Sequence, residues 1–543
     1  MKKRILCGLT AFILTTTLAI PSFAVGIDDV KVEAPVKNVI MMIPDGMSTD
    51  VVTLSRWYNG GKELNLDEMA SGLVRTYSAD APIADSAPAG TAFATGFKSH
   101  TGYVGVLPDV NTMPGLEALD PSKKRAPVAS ILEAAQLDGK ATGLIATSEI
   151  MHATPADFSA HYASRKAYDI LSMQQVYQEV DVVFGAGTKY FTAAGRKDGN
   201  DMLSVIKDNY QFVDNKAEMD AVTSGKVWGM FADSALAYDF DRDPEKEPSL
   251  AEMTKKAIDV LSQDEEGFFL MVEGSKIDWA AHANDPIGLI SDCLAFDEAV
   301  GVALDFAKEN GDTVIISVTD HGNSGVSIGN EATSGNYDKL PLSTFINPLM
   351  KATLTGEGLE SVLTEDRSNV VEVMEKYFGI ANLTDEEIKA IKETENGSMN
   401  YTVGPMIAKR ASIGFTTGGH TGEDVTLYVY APDGADQLTG TVENTDIARY
   451  MEKVLGVSLE DATKQLFVPA RKAFEAKGAT VSFDISDAKN PAFVAVKGTT
   501  EIRILVNTNI AYVNGVEKKL EGVAVFDGVG TNYVPQSAVD LMD

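Results

Sequence analysis

The sequence predicts an α/β protein with a mostly parallel central sheet and helices on both faces, followed by a small strand-rich C-terminal domain. From about residue 36 to 454, short apolar runs suited to buried strands alternate with helical patterns. Strands that alternate with helices build parallel sheets covered on both sides. Past Lys477-Gly478 the apolar period changes to two, as in strands with one face on a core. The third observation is chemical: acidic residues and histidines cluster directly after several of the apolar runs. In an open α/β sheet the ligand crevice lies beyond the carboxyl ends of the strands.

Taken in order, residues 1–24 read as a secretory signal. Lys2, Lys3 and Arg4 precede an apolar stretch, and Ser22-Phe23-Ala24 forms a small-residue cleavage site. Gly8 and four threonines interrupt that stretch, which is short for a membrane span. The expected protein is therefore exported, extracellular or associated with the cell surface, with its mature chain starting near Val25. Strands are expected at residues 39–43, 144–147, 182–184, 268–272, 314–318 and 425–430, and helices over 126–136 and 293–308. A catalytic domain over 25–470 would carry an insertion at about 322–415, with helices at 370–377 and 385–393. The last unit spans 480–543, where residues 510–513 and 516–520 flank Asn514-Gly515, the signature of a type I′ hairpin.

Composition narrows the function. Losing Lys2, Lys3 and Arg4 takes the net charge from −32 to −35, which argues against nucleic acid and anionic membranes as partners. Of the two cysteines, Cys7 lies in the signal. The exported chain keeps only Cys293, a core residue by its helical setting, and can form no internal disulfide.

The clusters are Asp278-Trp-Ala-Ala-His282, Asp320-His321 and Gly-Gly-His420-Thr-Gly. Asp45 and Glu273 each follow a strand-like run. Imidazole nitrogen with carboxylate oxygen is a donor set that zinc accepts. A loop at Asp85-Ser86-Ala-Pro88 enters an Ala-rich helix, with Pro88 tolerated in the first turn. Asp85 or Ser86 is suited to cap that helix. A serine there also meets unpaired N–H groups and the positive end of the dipole, which favour an anion. Further on, His152-Ala-Thr154-Pro leads to Ser-Arg165, whose planar fork can hold two phosphoryl oxygens.

Together these motifs resemble the alkaline phosphatase family over roughly residues 36–454. The resemblance rests on Pro-Asp45-Gly-Met, Asp85-Ser86-Ala, Ala-Thr154-Pro, Ser-Arg165, Glu273-Gly with Asp278 and His282, Thr-Asp320-His321 and His420-Thr-Gly, in the family's order. It implies one zinc ion on Asp278, His282 and His420, and a second on Asp45, Asp320 and His321. A third ion, usually magnesium, would sit on Asp45, Thr154 and Glu273. Ser86 would be the nucleophile, and Arg165 the phosphate clamp oriented by Asp85. Two positions vary in the family. Here they read His152 and Trp279, where some bacterial members have Asp and Lys, so His152 joins the third-ion candidates and leaves that metal's identity open. His100 and His161 match no ligand position and are expected to be structural.

The implied activity is hydrolysis of small phosphate monoesters through a phosphoserine intermediate, in a family that is commonly dimeric. A phosphodiesterase of the same superfamily would share the metal core without needing the clamp. A surface binding protein with structural metals is the alternative from another class. Residues 503–542 resemble the copper amine oxidase N-terminal-like modules appended to secreted bacterial proteins. Containing no histidine, this unit is expected to bind no copper and to serve in attachment or assembly. Turnover is expected to survive its removal past about Ala479.

Overall fold

The computed structural model describes residues 26–487 and 489–543, so the expected signal segment lies outside the described residues. Ten strands form one sheet. In chain order they are β1 (Asn38–Ile43), β2 (Ala70–Arg75), β3 (Ala141–Glu149), β4 (Val182–Ala186), β5 (Gln211–Val213), β6 (Val227–Met230), β7 (Phe268–Glu273), β8 (Thr313–Val318), β9 (Val425–Tyr430) and β10 (Gly440–Glu443). Their spatial order is β10-β2-β9-β8-β1-β7-β3-β4-β6-β5. Only β9 runs against its neighbours, pairing antiparallel with β2 and β8.

Every residue of β1, β7 and β8 is buried, which is why these strands read as unbroken apolar runs. Successive side chains alternate between two cores. Ile40, Met42, Leu270 and Val272 enter one, and Val39, Met41, Phe269 and Met271 enter the other. The helical pattern at 293–308 lies inside a longer helix, Pro286–Asn310. Asp285 caps its start by accepting from the Ile287 N–H at 2.9 Å, and Gly311 ends it with φ 71°. The helix expected from residue 126 begins only at Ile131. Ser130 Oγ accepts from the Glu133 N–H at 3.1 Å and the Glu133 carboxylate accepts from the Ser130 N–H at 2.8 Å, a reciprocal cap that fixes the start.

The long segment between β8 and β9 carries helices at Val370–Phe378 and Asp385–Glu393, where the sequence places them. Its two ends pair antiparallel, with His420 opposite Asn323. A residue remote in sequence is thereby returned to the end of β8.

Five antiparallel strands make the C-terminal sheet: β11 (Thr480–Asp484), β12 (Ala492–Lys497), β13 (Thr500–Leu505), β14 (Ile510–Val513) and β15 (Val516–Lys519). Asn514 and Gly515 join the last two with φ 50° and 82°, as a type I′ turn requires. The helix Ala470–Ala476, upstream of the change in period, adds Ala470 and Phe474 to this module's core. The module does not stand apart from the large unit. Val523, Val525 and Tyr533 pack into the same core as Leu459, Leu466 and Phe467.

Candidate active site

Adjacent parallel strands align their carboxyl ends, and the candidate ligands lie there. Asp45 follows β1, Glu273 ends β7, and Asp320 and His321 follow β8; β1 lies between β7 and β8. The helix Lys276–His282 presents Asp278 and His282 one turn apart on one face. Gly46 permits the close approach of this helix to the β1 loop. With φ 67°, a side chain there would place its Cβ 2.7 Å from Asp278 Oδ1 and 2.9 Å from its Cα, so only glycine fits.

Three sets of donor atoms each lie within 4.8 Å of one another: Asp278, His321 and His420; Asp45, Asp320 and His321; and Asp45, His152 and Glu273. His282 joins the first, its Nε2 standing 3.3 Å from Asp278 Oδ2 and 3.2 Å from His420 Nε2. The tautomers are informative. His282 Nδ1 lies 2.8 Å from the Gly418 carbonyl, and His420 Nδ1 lies 2.8 Å from the Ala84 carbonyl. Each Nδ1 must donate its hydrogen, so neutral rings leave both Nε2 lone pairs facing Asp278. Two ring nitrogens that converge on a carboxylate with no hydrogen between them call for a cation or a proton.

The oxygen-rich side shows the same deficit. Both carboxylate oxygens of Asp45 and of Glu273, together with Thr154 Oγ1 and Asp320 Oδ2, are buried without a hydrogen-bond partner among the described residues. Burial, then the charges of Asp320, Asp278 and Glu273, push the Asp45 carboxyl well above its usual range. Burial likewise raises Glu273 to about 8. Unpaired buried carboxylates are costly, and a hard, oxygen-liganded cation would remove the cost.

Ser86 faces this cluster. Asp85 precedes the helix Ser86–Thr95 as its N-cap residue, yet its side chain does not cap. It turns to Arg165, pairing with Nη1, and accepts from the Gly102 N–H at 3.1 Å. Ser86 Oγ lies 3.1 Å from His321 Nε2. Arg165 Nη2 donates to His152 Nε2 at 2.9 Å, so its fork is held by a carboxylate on one side and an imidazole on the other. Burial and the Arg165 charge lower His152 to about 3. The ring is therefore neutral, and accepting at Nε2 puts its hydrogen on Nδ1, a buried atom without a partner. In this arrangement His152 Nε2 serves the guanidinium, while the ring also stands in one donor set with Asp45 and Glu273. Trp279 lies edge-on to His152, the ring centroids 6.1 Å apart.

The other histidines stand outside the cluster. His161 is buried, with Nε2 2.9 Å from Glu133 and Nδ1 2.8 Å from the Gly105 carbonyl. His100 pairs with Asp80 at 3.1 Å and stacks on Tyr103. Cys293 is buried, its Sγ 3.7 Å from Met47 Sδ. Asn323 is a site residue that the sequence did not single out. It donates to Asp278 Oδ1 at 2.6 Å and to the Asp278 carbonyl at 3.3 Å, fixing that carboxylate. Its place two residues after His321 was the available signal.

A sequence model described as alkaline phosphatase matches residues 36–457, and one described as the copper amine oxidase N-terminal domain matches residues 457–540. Alkaline phosphatase 4 of Bacillus subtilis is 36% identical over 442 residues, covering 78% of this chain and 89% of the relative. The crystal structure of a cold-active alkaline phosphatase from a psychrophilic Shewanella superposes with a TM-score of 0.65 at 28% identity, covering 77% of this chain and 99% of that one. A histidine-to-glutamate variant of the TAB5 alkaline phosphatase, solved with magnesium in its M3 site, gives 0.56 at 28% identity over 79% of this chain and 100% of its own.

Proposed function

The chain belongs to the alkaline phosphatase family and hydrolyses phosphate monoesters, and on that premise we propose that it is an exported enzyme working through a phosphoserine at Ser86. Two zinc ions would be held by Asp278, His282 and His420 and by Asp45, Asp320 and His321. A third ion would be held by Asp45, Thr154 and Glu273. Oxygen donors suit magnesium there, and magnesium occupies the M3 site of the TAB5 variant. When bound, the zinc ions supply positive charge that favours the serine alkoxide and the departing oxygen.

The chain's own residues do the rest. Arg165, fixed between Asp85 and His152, binds two nonbridging oxygens through parallel N–H groups. This places phosphorus in front of Ser86 Oγ. As the Ser86 Oγ–P bond forms, the P–O bond to the alcohol breaks, and the alcohol leaves with a proton. Water then attacks phosphorus, the bond to Ser86 breaks, and inorganic phosphate departs as the serine regains its hydrogen.

The observation that carries this reading is the convergence of bare donor atoms on Ser86, itself buried and 3.1 Å from His321 Nε2. Phosphate release from an aryl phosphate and an aryl phosphodiester, with and without chelator, tests it. Monoester turnover that chelation abolishes and zinc restores is expected. Full activity in metal-stripped protein would sink it, and a preference for the diester would favour a phosphodiesterase.

A further inference from the structure

The C-terminal module reaches the catalytic unit at a point that leads to Arg165. Gln174, fully buried in the helix Tyr168–Gln178, grips the backbone of His161 on both sides. The His161 N–H donates to Gln174 Oε1 at 2.7 Å, and Gln174 Nε2 donates to the His161 carbonyl at 3.2 Å. The same Nε2 also donates to Asn507 Oδ1 at 3.0 Å. Asn507 sits in the turn between β13 and β14. Its backbone is left-handed, with φ 64°, and its N–H is anchored on the Ala524 carbonyl at 2.7 Å.

From His161 the chain runs directly to the clamp. Tyr162 and Val104 exchange backbone hydrogen bonds at 2.8 and 2.9 Å, and the Arg165 N–H donates to the Gly102 carbonyl at 2.7 Å. Gly102 is also the residue whose N–H binds Asp85. Backbone hydrogen bonds thus connect the His161 segment to Arg165 and to the residue that binds the carboxylate orienting it. The Phe467 ring, 4.6 Å from that of His161 by centroids, closes the same segment from the linker side.

We propose that Asn507 is a positioning residue for the phosphate clamp, so that docking of the C-terminal module sets phosphate affinity; this rests on the reading of Arg165 as the clamp. Asn507 touches neither substrate nor ligand candidates. It acts by orienting Gln174, which otherwise has one polar hydrogen free to pull its amide off the His161 backbone.

The test compares Asn507→Gly and Asn507→Asp in the full-length, zinc-loaded protein, each alone and combined with Arg165→Ala. Glycine keeps the left-handed backbone but removes the acceptor, whereas aspartate keeps the acceptor and tolerates that conformation. One neutral hydrogen bond is at stake. Inhibition by inorganic phosphate should therefore weaken roughly two- to tenfold in Asn507→Gly, with kcat changed less, and should return to near the parent value in Asn507→Asp. In the Arg165→Ala background the glycine substitution should add nothing, because both changes act through one group. An unchanged phosphate constant in Asn507→Gly, or an equal loss in both backgrounds, would overturn the proposal. If Arg165→Ala alone binds phosphate as tightly as the parent, the clamp assignment fails and the proposal with it. Should Asn507→Gly not fold at the assay temperature, the same comparison is made at a lower temperature under the same criteria.

Discussion

His282 and His420 each commit one ring nitrogen to a backbone carbonyl, and this makes metal uptake a competition with protons at the other. Burial alone would lower His282, but its hydrogen bond to Asp278 and that group's charge raise it to about 9. Below that value a proton occupies the nitrogen that would bind zinc; above it the nitrogen is free. Zinc affinity of the stripped protein should therefore rise with pH up to about 9, with protons released on binding, and the His282 contribution should then level off. Titrations from about pH 6 to about pH 10 check this, and an affinity that is flat with pH would remove His282 from the ligand set. His152 supports a second expectation. Replacing it by Asp puts a hard oxygen beside Asp45 and Glu273 and should tighten magnesium binding at the third site; unchanged magnesium affinity would place residue 152 outside that site. Asp45, Glu273, Asp320 and His321 were legible in the sequence because each ends or closely follows an apolar run, and Asp278, His282 and His420 because acidic residues and histidines recur there within a few positions. Asn323 and Gly46 were not. Their roles depend on a distance to Asp278, which exists only after folding.

The helix Lys276–His282 is held by the long insertion as well as by the sheet. Lys276, 1% exposed, reaches Glu357 at 3.1 Å, and its ammonium also lies 4.0 Å over the Tyr238 ring and 4.9 Å over that of Trp279. Glu357 is 45% exposed, so the pair is partly screened. Glu357→Ala removes the carboxylate that the buried ammonium reaches directly and leaves it with aromatic faces and the more distant charges of Asp292, Asp241 and Glu247. It should cost about 1–2 kcal/mol, below the full range for charged hydrogen bonds because of that exposure. Because Asp278 and His282 lie on the same helix, zinc should also dissociate faster, and Glu357→Gln should fall between parent and alanine. Denaturant midpoints and zinc retention that match the parent would show that the insertion does not support this helix. Among elements, the buried strands and the Asn514-Gly515 hairpin were readable because burial on both faces and a two-residue turn leave strong local signals. β2, β5, β6 and β10 were not anticipated. β5 has only three residues, and β2 and β10 form one end of the sheet, β2 with Gly72 inside it and β10 starting at Gly440, where alternation is weak.

At the scale of the whole molecule, the change of period near residue 478 marks where strand patterning begins but says nothing of how the module is seated. Contacts between units join residues far apart in sequence, so they leave no local pattern. A chain ended at Ala479, expected from sequence to lose little, would strand Ala470 and Phe474 outside the core they share with Phe493, Ile502 and Ile504. It would also strip Val523, Val525 and Tyr533 from the larger core, where their exposures are 1%, 1% and 7%. Side chains of this size contribute about 1.5–3 kcal/mol each when buried. Their loss uncovers apolar surface on Leu459, Leu466 and Phe467 as well. The shortened protein should therefore unfold at a lower temperature and bind a hydrophobic dye, while still loading zinc, because every candidate ligand precedes Thr421. Its turnover number should change less than its affinity for phosphate, since the helix that Ser86 starts and the elements that carry the ligand set all precede the cut, whereas the segment carrying Arg165 has lost Asn507. A truncated chain with the parent's melting temperature and phosphate constant would mean that the module rests on the catalytic unit without acting on it.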